Sequence, residues 1–201
     1  MNQIPTAEDL TADACAEMGI EGYNPDKRYH NPLKNAKDGK HYNWDSATSG
    51  FVPKNTVDFI RSFDSIAVGI ANVAKIAQES FDSFTDGQPV NTTEMVGIIE
   101  EISIRFGRGA FAERFAKNQI DSTVIDPKDG DENKRIDIRT NDSLFQVKLA
   151  ESPRSDWKKP QNNVESDKNR EKEILWVEPD GKVNKVVNPD EHLLIDRYEP
   201  I

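Results

Sequence analysis

The sequence predicts an α+β (mixed α/β) fold, with a central mixed β-sheet flanked by helices and an N-terminal helical extension. Three observations carry this expectation. Apolar side chains recur at helical spacing through residues 55–118, and they alternate with polar ones through 134–150 and again around 173–187. The two kinds of segment occupy separate runs, helices first and strands later, which is the α+β pattern. A Pro179-Asp180-Gly181 turn between apolar runs marks a hairpin near the end. We divide the chain into residues 1–54, an irregular and helical extension; 55–90, a long accessory or interface helix; and 91–201, the α/β core.

The elements follow in order. Ala7–Met18 forms one short helix. The next stretch is rich in Gly, Asn, Asp and Pro, with Tyr23, Tyr29, Tyr42 and Trp44 scattered through it, and reads as irregular. His30 and His41 lie there without Cys partners or ligand spacing, which makes them weak evidence for a zinc site. From Asn55 one long helix is expected: Asn55 caps it, Asp58 sits in its first turn, and Phe59, Ile60, Phe63, Ile66, Ala67, Ile70, Val73, Ala74 and Ala77 form a single stripe. Such a stripe is core or a partner-helix surface. Asp86-Gly87-Gln88-Pro89 ends it.

Asn91 then caps a second helix, with Glu94 in the capping-box position. Met95, Ile99, Ile102 and Phe106 line its buried side, and Glu101 pairs with Arg105 one turn on. Gly107 and Gly109 interrupt it before a helix carrying Phe111 and Phe115. Gln119–Ile125 is a short candidate strand, followed by the acidic loop Asp126–Asn133. Beyond the hairpin at 134–150, Glu173–Val177 and Lys182–Val187 flank the Pro-Asp-Gly turn, and His192–Tyr198 adds an apolar patch.

Composition bounds what this chain does. Its 201 residues suffice for one core, or one core and a small accessory region. No apolar run approaches the ~20 residues that span a membrane. The N-terminus has neither a basic start nor an apolar stretch and does not read as a secretory signal. Cys15 is the single cysteine, which excludes an internal disulfide and fits a reducing, cytoplasmic setting.

The hairpin at Lys134–Ala150 is where chemistry concentrates. Ile136, Ile138 and Thr140 share one face of the first run, Arg135, Asp137 and Arg139 the other. In the second run Phe145, Val147 and Leu149 face one way, and Leu144, Gln146 and Lys148 the other. Asn141-Asp142 tolerates left-handed backbone and makes a two-residue turn. Closing it there sets Ile138 opposite Phe145 and Ile136 opposite Val147, with Asp137 opposite Gln146 and Arg135 opposite Lys148. A longer loop slips the register and mixes core with polar pairs. Arg135 against Lys148 is repulsive alone, and becomes reasonable where carboxylates, a metal and a phosphate share the face.

An Asp followed on the next strand by Glu or Gln, any residue, then Lys resembles the core signature of the PD-(D/E)XK nuclease superfamily, to which restriction endonucleases and archaeal Holliday-junction resolvases belong. Here the match is Asp137 with Gln146-Val147-Lys148. Upstream, Gly107–Asn118 is similar to the resolvase-type first helix, with Glu113-Arg114 as its acidic-basic pair, and Glu173–Glu178 is similar to the next core strand. The chain departs from the commonest pattern with Gln146 in place of Glu, and with Ile136 in place of Pro before Asp137.

The resemblance implies a restriction-endonuclease-like sheet and metal-dependent cleavage of DNA. Mg²⁺, or Mn²⁺, takes hard oxygen ligands and is usually held by one or two carboxylates. Asp137 is then the main ligand, with the Gln146 side-chain and Val147 main-chain carbonyls as neutral oxygens. Lys148 serves the attacking water and the charge building on phosphorus, and Glu113 assists. Asp126, Asp129 or Asp131 can add a ligand. The implied partner is DNA, with no membrane, and the implied assembly a homodimer, since two-fold symmetry presents two sites to two strands.

The net charge of −10 opposes a polyanion unless cations gather locally. Two groups do so: Arg105, Arg108, Arg114 and Lys117, and Arg154, Lys158, Lys159, Lys168, Arg170 and Lys172. Arg135, Arg139, Arg154, Lys158 and Lys159 are the candidate nucleic-acid contacts. The second group is interspersed with acids and also reads as a solvated surface. The rival from another class is a non-catalytic DNA-binding or assembly protein, of viral type, that keeps a nuclease-like sheet.

Overall fold

The computed structural model describes residues 3–35, 51–85, 89–120, 136–141, 143–150, 172–186 and 195–197. By its internal contacts the chain divides into two compact units. One is Pro5–Ala110; the other joins Met1–Ile4 to Phe111–Ile201. The expected segments 1–54 and 55–90 thus fall largely into a single unit that also takes in residues 91–110. The architecture is α+β, as predicted.

The first unit is helical. Helix α1 (Ala7–Glu17) starts at a reciprocal cap: Thr6 Oγ1 accepts the Asp9 N–H at 3.1 Å, and the Asp9 carboxylate accepts the Thr6 N–H at 2.9 Å. A 3-10 turn at Pro32–Asn35 follows. Helices α2 (Thr56–Arg61), α3 (Ile66–Phe84) and α4 (Thr92–Ile102) then pack with α1 around Leu10, Ala14, Ile60, Ile70, Ile98 and Ile99. Helix α4 begins as expected, with the Asn91 and Glu94 side chains each accepting the other's N–H at 3.0 and 3.1 Å.

The expected single helix from Asn55 is in fact two. Asn55 stands in left-handed backbone (φ 59°) and its side chain caps nothing. The Ser62 hydroxyl donates to the Phe59 carbonyl at 2.7 Å as α2 closes, and Ser65 Oγ accepts the Val68 N–H at 3.1 Å as α3 opens. The stripe therefore serves two helices folded onto each other. Gly69 permits the fold-back, because a Cβ there would lie 2.4 Å from the Ile60 carbonyl oxygen.

The expected interruption at Gly107 takes the form of a change of helix type, not a break. A π-helical turn at Ser103–Gly107 carries α4 directly into α5 (Arg108–Gln119). Gly107 is buried, and a Cβ on it would meet Ile70 Cδ1 at 2.7 Å, so close packing rather than chain freedom explains the glycine. The Glu101–Arg105 pair forms as expected, at 2.6 Å.

The second unit is a five-stranded sheet in the order β1 (Ile138–Arg139), β2 (Leu144–Leu149), β3 (Lys172–Val177), β4 (Val183–Val186), β5 (Ile195–Arg197). Strands β2 and β3 are parallel and the other neighbours antiparallel. One sheet face presents Ile138, Phe145, Val147, Leu175, Val177 and Val183 to Ala112, Ala116 and Ile120 of the α5 stretch, with Ile4 packed in the same cluster. Ile4 also donates its N–H to the Pro179 carbonyl at 3.0 Å. The helical spacing of Ala112, Ala116 and Ile120 overrides the strand expected from Gln119, since α5 runs through that residue. Residues 121–135, with the remainder of that strand, the acidic loop and Arg135, lie outside the described residues, as do Tyr42, Trp44, His41, Arg154, Lys158 and Lys159.

The β3–β4 hairpin matches its turn chemistry. Gly181 takes φ 81°, its N–H donates to the Glu178 carbonyl at 2.9 Å, and the Glu178 N–H donates to the Lys182 carbonyl at 2.8 Å. Among the described residues no helix is long and apolar enough to cross a membrane.

Two outcomes follow from this packing. Alanine is a better helix former than glycine by about 1 kcal/mol, yet Gly69→Ala should destabilise the protein by about 1–3 kcal/mol in urea denaturation, because the Ile60 main chain must move. Cys15 is buried, and burial pushes its thiol up to about 11. It should therefore resist alkylation at pH 8 in the native state and react promptly once the chain is unfolded.

Candidate active site

The β1–β2 hairpin closes in the expected Ile138–Phe145 register, without left-handed backbone at Asn141. Thr140 donates its N–H to the Ser143 carbonyl at 2.9 Å, the Ser143 N–H donates to Thr140 Oγ1 at 2.9 Å, and Ile138 stands opposite Phe145. Past Ile138 the ladder departs from the regular pairing expected of it. The Asp137 N–H donates to the Phe145 carbonyl at 2.9 Å, so Asp137 and Ile138 both address Phe145. Two residues facing one is the signature of a β-bulge, which bends the strand and re-aims a side chain.

The expected pairs Asp137–Gln146 and Ile136–Val147 are displaced by this bulge. In their place Asp137 Oδ2 accepts the Val147 N–H at 2.7 Å. A charged acceptor takes the bond a main-chain carbonyl would otherwise make, and bonds of this type are about twice as strong as neutral ones. The N–H and C=O of one strand residue point to the same edge, so the Val147 carbonyl lies on the edge that carries the Asp137 carboxylate. Gln146 and Lys148 flank Val147 on either side. The structure thus brings Asp137 to the middle of the Gln-Val-Lys triplet through the main chain.

Burial along β2 differs from simple alternation. Leu144, Phe145, Gln146 and Val147 are all buried, whereas Lys148 and Asp137 are half-buried. A central strand with neighbours on both sides and a parallel partner is typically covered on both faces. Gln146 is 4% exposed, and its Oε1 is buried without a hydrogen-bond partner among the described residues. An unmade bond at a buried carbonyl costs about 1–3 kcal/mol, so this oxygen is suited to an added donor or cation. Arg139, expected as a phosphate contact on a wet face, is 2% exposed: its pairing with Leu144 puts it on the covered part of that face.

Glu113 lies half-buried on α5, whose Ala112 and Ala116 cover the Phe145–Val147 face. Arg114 is likewise half-buried on that helix and Lys117 exposed. Among the described residues no three His, Cys, Asp or Glu side chains gather into a metal cluster. The donor set at the hairpin is one carboxylate with neutral oxygens, a composition that fits a hard divalent cation retaining most of its waters.

Trp176, which no motif marks, stands directly opposite Lys148 in the parallel β2–β3 register. It is half-buried and packs on the buried Ile174. Only the strand pairing reveals this neighbour. Comparison with family models, curated proteins and solved structures gives no match for the chain, so the chemistry rests on the site itself.

Removing the carboxylate tests the hairpin directly. Asp137→Ala should cost about 1–3 kcal/mol in chemical denaturation, because the Val147 N–H loses its acceptor. Asp137→Asn keeps a side-chain oxygen and should cost clearly less. Equal losses in the two variants would show that the bond contributes little.

Proposed function

We propose that the protein is a metal-dependent DNA endonuclease of the PD-(D/E)XK kind, hydrolysing phosphodiester bonds with Mg²⁺ or Mn²⁺. One observation carries the reading: the Asp137 carboxylate is fastened to the main chain of Val147, between Gln146, whose side-chain oxygen has no partner among the described residues, and the half-buried Lys148. The parallel pairing of β3 on β2, after an antiparallel β1–β2 hairpin, supports it as well.

In this reading Asp137, Gln146 Oε1 and the Val147 carbonyl would hold the metal, and the chemistry it would supply is activation of water and polarisation of the phosphate. The chain's own contributions are distinct. Asp137 supplies the anionic ligand and is oriented by the Val147 N–H. Lys148 carries its ammonium one residue along, where it orients the attacking water and offsets the charge that builds on the phosphoryl oxygens. Glu113 assists from α5. DNA is the substrate, and a cytoplasmic homodimer presenting two sites to two strands is the assembly we favour.

The burial of Gln146 and Arg139 favours a second reading, in which the same sheet belongs to a non-catalytic DNA-binding or assembly protein. Cleavage separates the two. Plasmid and branched DNA incubated with Mg²⁺ should be cut by the wild type, left intact by Asp137→Ala, and cut about 100- to 1000-fold more slowly by Lys148→Ala. Gln146→Glu supplies a second carboxylate, so Mg²⁺ should raise its melting temperature more than that of the wild type. Equal cleavage by wild type and Asp137→Ala, or none by any preparation across a broad range of salt, would remove the catalytic reading.

A further inference from the structure

The sheet unit takes in a short segment from early in the chain. Met1–Ile4 groups with Phe111–Ile201, although all of Pro5–Ala110 lies between them in sequence. Two contacts of different kinds hold this segment at Ile4. Its side chain is buried in the cluster that includes Phe145, Val147, Val177 and Val183. Its N–H donates to the Pro179 carbonyl at 3.0 Å. Pro5 follows, and a residue before proline is kept to extended backbone, which is the form a strap laid on a sheet requires.

The turn that receives the strap is fastened without it. The Glu178 N–H donates to the Lys182 carbonyl at 2.8 Å, the Gly181 N–H to the Glu178 carbonyl at 2.9 Å, and Asn184 Nδ2 to Glu178 Oε1 at 2.8 Å. Val177 and Val183 pair at the base of this turn, and β2 reaches the same end, where the Ala150 N–H donates to the Val177 carbonyl at 2.9 Å. Pro179 is exposed, so water replaces the strap's hydrogen bond when the strap leaves. The seat then depends mainly on one buried isoleucine. Burying such a side chain favours the seated form by roughly ten- to a hundredfold, whereas folding of a whole domain is favoured by roughly 10³ to 10⁸. The strap therefore leaves far more often than the sheet unfolds.

Its departure reaches the candidate site through Val147. A void in a packed cluster deprives the residues that line it of their contacts. Val147 belongs to the Ile4 cluster with its side chain, and with its N–H it holds the Asp137 carboxylate.

We propose that residues 3–4 form a releasable strap, seated by Ile4, whose seating keeps the Asp137–Val147 bond closed and whose release loosens it while the helical unit stays folded. Ile4 is then a positioning residue that acts on Asp137 through the packing of Val147. This role is independent of what the hairpin does to DNA.

Amide hydrogen exchange resolved by NMR, on the full chain without metal or DNA, tests each part. In the wild type the Ile4 amide should be protected roughly ten- to a hundredfold over the unstructured rate. Its exchange should change little in low urea, since strap release exposes little surface. Ile4→Ala keeps the N–H and removes most of the side chain; it should speed exchange of the Val147 amide by about fivefold or more and leave Ile99 of α4 within about twofold. Ile4→Val keeps most of the volume and should hold Val147 within about twofold of the wild type. An unprotected Ile4 amide, a Val147 amide indifferent to Ile4→Ala, or equal acceleration at Val147 and Ile99 would overturn the proposal. The wild-type urea series needs no variant: exchange at Ile4 that rises with urea as steeply as that of the slowest sheet amides overturns it too.

Cleavage assays on the same preparations separate the two ideas. Mg²⁺-dependent cleavage abolished by Asp137→Ala, with Val147 exchange indifferent to Ile4→Ala, overturns the strap and leaves the endonuclease reading standing. Val147 exchange that follows Ile4, with no cleavage of any DNA, supports the strap and removes the catalytic reading.

Discussion

A carboxylate seated on a main-chain N–H inside a sheet does two things at once. It satisfies a donor that would otherwise need a neighbouring strand, and so lets that strand end. It also fixes the carboxylate with the precision of the backbone rather than of a free side-chain rotamer. The Asp137–Val147 bond has both effects: β1 stops after two paired residues, and the anionic oxygen is held beside the residue that joins Gln146 to Lys148. With a regular ladder at this point, Asp137 would project from the sheet face with its own χ freedom. The bulge prevents this.

Burial then sorts the polar groups of the hairpin into two classes. Gln146 and Arg139 are enclosed, while Asp137 and Lys148 lie at the boundary with solvent. Charges at such a boundary are screened less than fully exposed ones and avoid much of the desolvation penalty of the interior. This matters in a chain of net charge −10, where long-range attraction to a polyanion is unfavourable.

Features set by neighbours in sequence are legible in the residues themselves. The Asn91–Glu94 cap, the Pro179-Asp180-Gly181 turn, the Glu101–Arg105 pair and the Ile138–Phe145 register all depend on residues a few positions apart. Features set by tertiary contact are not. The close approach of Ile60 to Gly69 and the packing of Ile70 on Gly107 are contacts between residues distant in the sequence. At the site, alternation reveals the hairpin and its Asp, Gln and Lys. It does not reveal the bulge, the burial of Arg139 or the place of Trp176, because each is decided by a strand or a covering layer distant in the chain.

The bond from Ile4 to Pro179 has a consequence for the order of folding. The helical unit is made of consecutive residues, Pro5–Ala110, and its contacts can form while the rest of the chain is still being synthesised. The sheet unit has no such freedom. Its central parallel pair joins Gln146 to Ile174, and Ile4, which precedes the whole helical unit, waits for a turn that follows it. Contacts so distant in sequence carry a loop-closure cost that is met late. The half of the protein that bears the candidate site is therefore the half held together by the contacts most distant in sequence.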